Sequence, residues 1–121
     1  MVLSFNVVSQ KTLTVKADSL LKIAKSYIDI DLDSSIIFTK KAIIQSKFEN
    51  DSATEAKCYI NLGLCNDFSG NYPGAIKNYK IALEKFTAMN DYKGMGIACN
   101  VIGIAYYHIA DYKQVTHYYS L

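Results

Sequence analysis

From about residue 14 onward, apolar residues recur every three or four positions, the spacing that gives an α-helix one buried face. In the middle of the chain Ala56, Tyr59, Ile60, Leu62, Gly63, Leu64, Cys65 and Phe68 follow this spacing, and so do Ala75, Ile76, Tyr79, Ala82, Leu83 and Phe86. Short polar clusters punctuate the pattern. Ser69-Gly70-Asn71 is a breaker, and Met89-Asn90-Asp91 ends the run that follows it. The pattern predicts helices over 14–29, 32–49, 52–69, 72–88, 92–109 and 112–121. Ser52 with Glu55 reads as a capping box, and Asn71 as an N-cap with Pro73 in the first turn behind it. Asp31 and Asp111 are placed to cap in the same way, each for about 1 kcal/mol.

The helical pattern also repeats. At one ungapped offset of 40, Gly63 matches Gly103, Leu62 matches Ile102, Tyr72 matches Tyr112 and Tyr79 matches Tyr119. The same offset relates Ile36 to Ile76, Ala42 to Ala82, Asn50-Asp51 to Asn90-Asp91, and Asp31 to Asn71 to Asp111. Each unit therefore reads as two helices, with units at about 13–51, 52–91 and 92–121, the last truncated. Residues 1–12 stand apart from them. A pair of helices this size cannot bury its apolar faces alone; stacking copies gives a continuous core. Gly63 costs about 1 kcal/mol relative to Ala inside a helix, so its recurrence at Gly103 points to close approach of a neighbour. Ala75 and Ala82 would let the helices pack tightly, with Tyr59 and Tyr79 filling the space around them.

The segment 56–84 resembles a tetratricopeptide repeat (TPR), through Tyr59, Asn61, Leu62, Gly63, Gly70, Tyr72, Ala75, Ile76, Tyr79, Ala82 and Leu83. The stretch from Gly96 continues the resemblance with Gly103, Ala105, Tyr106, Tyr107, Asp111, Tyr112, Tyr118 and Tyr119. The first unit is weaker. Ile23 stands where the glycine is expected, and Ala24 takes that role if one residue is lost from the turn between the helices. The period of 40, against the family's usual 34, places the extra six residues in the linker or in longer helices beside it. Repeats of this length resemble those in the sensor portions of bacterial histidine kinases and transcription regulators.

The resemblance implies an all-α fold, a TPR-like right-handed solenoid of five to six antiparallel helices. It implies repeat packing by Tyr59, Leu62, Gly63, Tyr72, Ala75, Tyr79, Ala82, Ile102, Gly103, Tyr106, Tyr112 and Tyr119. It implies a protein–protein interaction module that receives a peptide or helix in a concave groove. The groove positions carried over are Lys57, Ile60, Leu64, Asp67 and Phe68, then Ile97, Asn100, Ile104, Tyr107 and His108. In the first unit they fall on Ala17, Leu20, Ala24, Tyr27 and Ile28. This lining suits an apolar partner segment. A carboxylate clamp is not expected, because only Asn61 fits that pattern and Leu20, Ala24, Ile97 and Val101 occupy the other positions. Asn61 is expected instead to hydrogen-bond backbone between helices. The alternative role is the N-terminal input part of a bacterial signalling protein, a histidine kinase or a transcription regulator.

Composition narrows these readings. The 121 residues carry a formal net charge of +2 and are half apolar, which excludes wholesale disorder. All thirteen basic residues are Lys, so bidentate phosphate recognition and nucleic-acid binding are disfavoured. Neither metalloprotease nor nucleophile-elbow nor phosphate-loop motifs occur, so no enzymatic role, cofactor or metal is expected. Gly94-Met95-Gly96 reads as a hinge before a helix, and Cys58, Cys65 and Cys99 as small buried hydrophobes. No stretch reaches the ~18 apolar residues of a membrane span. Residues 1–10 have two readings: a frayed or packed segment, or the remnant of a signal peptide whose basic start lies upstream. The second would place the domain outside the cytoplasm, in the periplasm; otherwise it is cytoplasmic. The apolar last residues suggest that the chain continues or self-associates at this uncapped end.

Overall fold

A computed structural model describes residues 14–110 and 117–120. Its five helices are α1 (Ala17–Ser26), α2 (Leu32–Phe48), α3 (Ser52–Phe68), α4 (Tyr72–Ala88) and α5 (Tyr92–His108). A further helical turn covers 117–119. Each helix packs on the next in sequence, and α1 also touches α3. Helices α1, α3 and α5 are thus the first members of successive hairpins, and α2 and α4 the second.

The repeat is finer than the offset of 40 indicates. Caps fall every 20 residues: Asp31, Asp51, Asn71 and Asp91 each accept a hydrogen bond from the backbone N–H three residues on. Residues in the left-handed region precede three of these caps, at Asn50, Gly70 and Asn90, and Ala110 continues the series. The N–H groups of Asp51, Asn71 and Asp91 also bond back to the carbonyls of Ser46, Asn66 and Phe86. At Asp51, Asn71 and Asp91 one residue therefore closes a helix and opens the next, which keeps these turns to three residues, whereas the turn between α1 and α2 runs over 27–31. Four helices have 17 residues each, so the six residues beyond the usual period lengthen the helices and leave the linkers short.

Two local expectations are corrected. The N-cap of α3 is Asp51, not Ser52: its carboxylate accepts from Thr54 N–H at 3.0 Å and from the Thr54 hydroxyl at 2.5 Å. These bonds hold the Asp51 carboxyl below its ordinary pKa. Glu55 is released from capping and pairs with Lys85 (3.3 Å) and Lys47 (3.9 Å). Gly94-Met95-Gly96 lies inside the first turn of α5 and is no hinge.

The glycines meet rings. A Cβ on Gly63 would lie 2.2 Å from Cε1 of Tyr79, whose side chain is fully buried. Gly103 faces Tyr119 in the same register one repeat later, at 3.0 Å. Gly94 similarly faces Phe86, at 2.2 Å. The close approach is therefore a tyrosine or phenylalanine ring laid on a bare stretch of helix, while Ala75 and Ala82 are buried beside it. Ile102 is buried in the same core as Tyr79, whereas Leu62 packs against the cluster of Leu21, Ala42, Ile43 and Cys58, and Tyr59 against that cluster and the one around Phe86. Tyr72 stacks on His108, and Tyr106 stacks on Tyr118. Tyr112 lies outside the described residues. In α1 the buried residue is Ala24, whereas Ile23 turns outward. From this buried position to the cap of the next helix is seven residues in the first hairpin (Ala24 to Asp31) against eight in the second (Gly63 to Asn71), so the register is one residue shorter, although the turn itself, 27–31, is longer.

Between the first two hairpins the core is polar. Asn61 Nδ2 donates to Thr39 Oγ1 (2.8 Å) and Ser35 Oγ (3.2 Å), all three residues being buried. Asn61 thus bonds hydroxyl side chains of α2, not backbone. All three cysteines are free and buried.

Candidate binding face

The first helices of the hairpins supply side chains to a common cleft of about 300 Å³. Its apolar lining is Ile60, Leu64, Ile97 and Phe86, with Gly94 and the buried Asn61 beside them. Lys25 from α1, Lys57 from α3 and Lys93 from α5 stand around it. Asp91 is the acidic residue of the lining, and its carboxylate already caps α5 through Gly94 N–H at 2.9 Å. The cleft therefore presents an apolar lining inside an excess of positive charge.

Four of the ten residues expected in the groove meet here: Lys57, Ile60, Leu64 and Ile97. The other six lie farther along the same helices, outside the cleft. Phe68, Ile104, Tyr107 and Asn100 are exposed. His108 is exposed but stacked against Tyr72, with ring centroids 5.1 Å apart. In the first hairpin Ala17 and Ala24 are fully buried, so neither can touch a ligand. From α1 the residue that lines the cleft is Lys25, one residue beyond Ala24. Lys25 and Lys93 had no precedent in the groove pattern. The available signal was helical phase: with the first hairpin one residue shorter between Ala24 and Asp31, Lys25 takes the position of Leu64, and Lys93 lies one turn before Ile97.

Asp67 has an internal task. Its Oδ2 accepts a hydrogen bond from the Tyr79 hydroxyl, which fixes the ring that lies on Gly63. Its Oδ1 is buried with no partner. Burial raises the Asp67 carboxyl above its ordinary pKa, opposed by the Tyr79 hydrogen bond and by nearby His108. Because the folded state holds this proton more tightly than the unfolded chain, Asp67 adds stability as pH falls through its raised pKa towards 3.8. Above that window the charge is carried at a cost. Asp67→Asn keeps an acceptor for Tyr79 and removes the charge. Urea denaturation should find it at least as stable as the parent near neutral pH. Its advantage should shrink as pH approaches 3.8, the ordinary value. A large loss of stability at neutral pH would show that the charge itself holds Tyr79.

Among the described residues no cluster of His, Cys, Asp and Glu could hold a metal ion, and no helix is long and apolar enough to cross a membrane. No family model matches the sequence, and no curated protein sequence matches it. Among solved structures, the chain is similar to the TPR domain of Arabidopsis FLU. The TM-score is 0.78 at 21% identity, over 86% of this chain and 88% of that one. With its stacked hairpins and its rings laid on glycines, the chain has the fold of a TPR domain, an all-α solenoid.

Proposed function

We propose that the protein is a recognition module that receives a peptide or helix of another protein on the face built by α1, α3 and α5. The observation that carries this reading is the cleft itself: Ile60, Leu64 and Ile97 form an apolar lining, and lysines from three helices surround it. An apolar side chain entering the cleft gains roughly 1.5–3 kcal/mol from burial. Carboxylates on either side of it would meet Lys25, Lys57 and Lys93, which speed encounter and fix orientation more than they add affinity. The preferred occupant is therefore an apolar segment flanked by acidic residues. The recognition role is the same for a free-standing module and for the input part of a bacterial signalling protein.

The test is capture by the immobilised chain. Replacing Ile60, Leu64 and Ile97 by Ser should reduce partner recovery at least about tenfold, the loss expected for removing a central apolar anchor. Circular dichroism must first show that the variant keeps its helices. Undiminished capture by a folded variant would exclude this face.

A further inference from the structure

Helix α2 is apolar on two sides. One side enters the core. On the other, beyond the first turn, its exposed residues are Ile37, Lys40, Lys41, Ile44, Lys47 and Phe48. Ile37 is 53% exposed, Ile44 61% and Phe48 80%. The repeat provides an internal control. Forty residues on, the same outer positions of α4 are Lys77, Glu84 and Ala88, all exposed. The fold therefore accepts charge at these places, and packing within the chain does not call for isoleucine or phenylalanine there. Nothing among the described residues covers the stripe.

We infer that the outer face of α2 is a second docking surface, distinct from the cleft, and that its occupant is an amphipathic helix with acidic flanks from another protein. Positions 37, 41, 44 and 48 advance by four, three and four residues. This is the d-a-d-a seam that packs knobs-into-holes against one helix. The twelve residues from 37 to 48 span about 16 Å, roughly three turns. Lys41 stands within the seam, and Lys40 and Lys47 fall at the flanking g positions. Lys47 reaches Glu55 only at 3.9 Å and stays largely exposed. A partner helix with Glu at its own e and g positions would pair with these lysines. A second copy of α2 would set lysines against lysines, which disfavours self-association through this face. A membrane surface does not select heptad spacing.

The test uses the whole chain and a fluorescein-labelled three-heptad peptide with Leu at a and d and Glu at e and g. A matched peptide carries Lys at e and g. Fluorescence anisotropy should show the Glu peptide binding at least about tenfold more tightly than the Lys peptide. Giving α2 the outer face of α4, by Ile37→Lys, Ile44→Glu and Phe48→Ala together, should abolish binding with helicity retained. Lys40→Glu with Lys47→Glu should reverse the preference between the peptides, which a merely sticky stripe would not do. Equal binding of both peptides, or Glu-peptide binding that survives the α2 exchange, overturns the proposal. So does a dimer in sedimentation equilibrium that the exchange dissolves, or adsorption to phosphatidylserine vesicles through the stripe without peptide binding. Capture through the cleft is expected to be unchanged in the exchanged protein, so the two surfaces fail or stand separately.

Discussion

Leucine at position 63 should leave the protein largely unfolded at room temperature, and alanine should already destabilise it by about 2 kcal/mol. Elsewhere in a helix, Gly→Ala gains about 1 kcal/mol from propensity. Here the new methyl would stand 2.2 Å from Cε1 and 2.4 Å from Cδ1 of Tyr79. The ring cannot retreat easily: it is fully buried and its hydroxyl is held by Asp67. Overpacking of this kind costs roughly 1–3 kcal/mol, and the three further carbons of leucine add to it. Tyr79→Ala in the same chain removes the obstacle and leaves a space that the introduced leucine can partly fill. Chemical denaturation of the four proteins of the cycle should give a favourable coupling of about 1–3 kcal/mol between the two changes. Additive losses, or a neutral Gly63→Ala, would mean that glycine is not required by the ring.

The second large effect lies one helix interface further along the stack, between α4 and α5. Phe86 is almost fully buried among Ala56, Ala82 and Ala98, with its ring on Gly94. Phe86→Ser should cost about 3–5 kcal/mol, through lost burial and a cavity that surrounding alanines cannot close. The repeat contains the alternative solution to the same space. Forty residues earlier the two positions are Ser46 and Thr54, both buried, with the larger residue on the opposite helix. Adding Gly94→Thr to Phe86→Ser reproduces that arrangement and should restore about 1–2 kcal/mol, the buried volume of the threonine side chain. Thermal denaturation of the two variants side by side measures this. If Gly94→Thr makes Phe86→Ser worse, the two repeats do not share one packing register.

Much of this architecture was legible in the sequence, because helical phase and the offset of 40 are both local. Five helices fall within three residues of the boundaries expected from breakers and caps. The match of Gly63 with Gly103 flagged the ring contacts. The first turn was legible only in outline: Ile23 in the glycine column signalled a shift, and the burial of Ala24 located it. The polar core was not legible. A lone Asn61 carries no sign of its partners, and Ser35 and Thr39 are ordinary residues on an ordinary helix. Their signal is the contrast with Ala75 and Tyr79 at the same repeat positions, which the apolar pattern ignores. The cleft was half legible for a similar reason. Phase places Ile60, Leu64 and Ile97 on one face, but whether an acid there meets solvent or a neighbour depends on the next helix. Asp67 meets the Tyr79 hydroxyl and leaves the groove for the core.

The recognition face can be tested most directly by contact. A photo-crosslinking phenylalanine derivative is placed at position 64, within the cleft, and separately at position 84, on the outer face of α4, and irradiated in source-cell extract. Recognition through α1, α3 and α5 predicts a discrete protein adduct from position 64 and none from position 84. The adduct should also disappear when Ile60 and Ile97 are replaced by Ser. No adduct from position 64, or equal adducts from both positions, would contradict it.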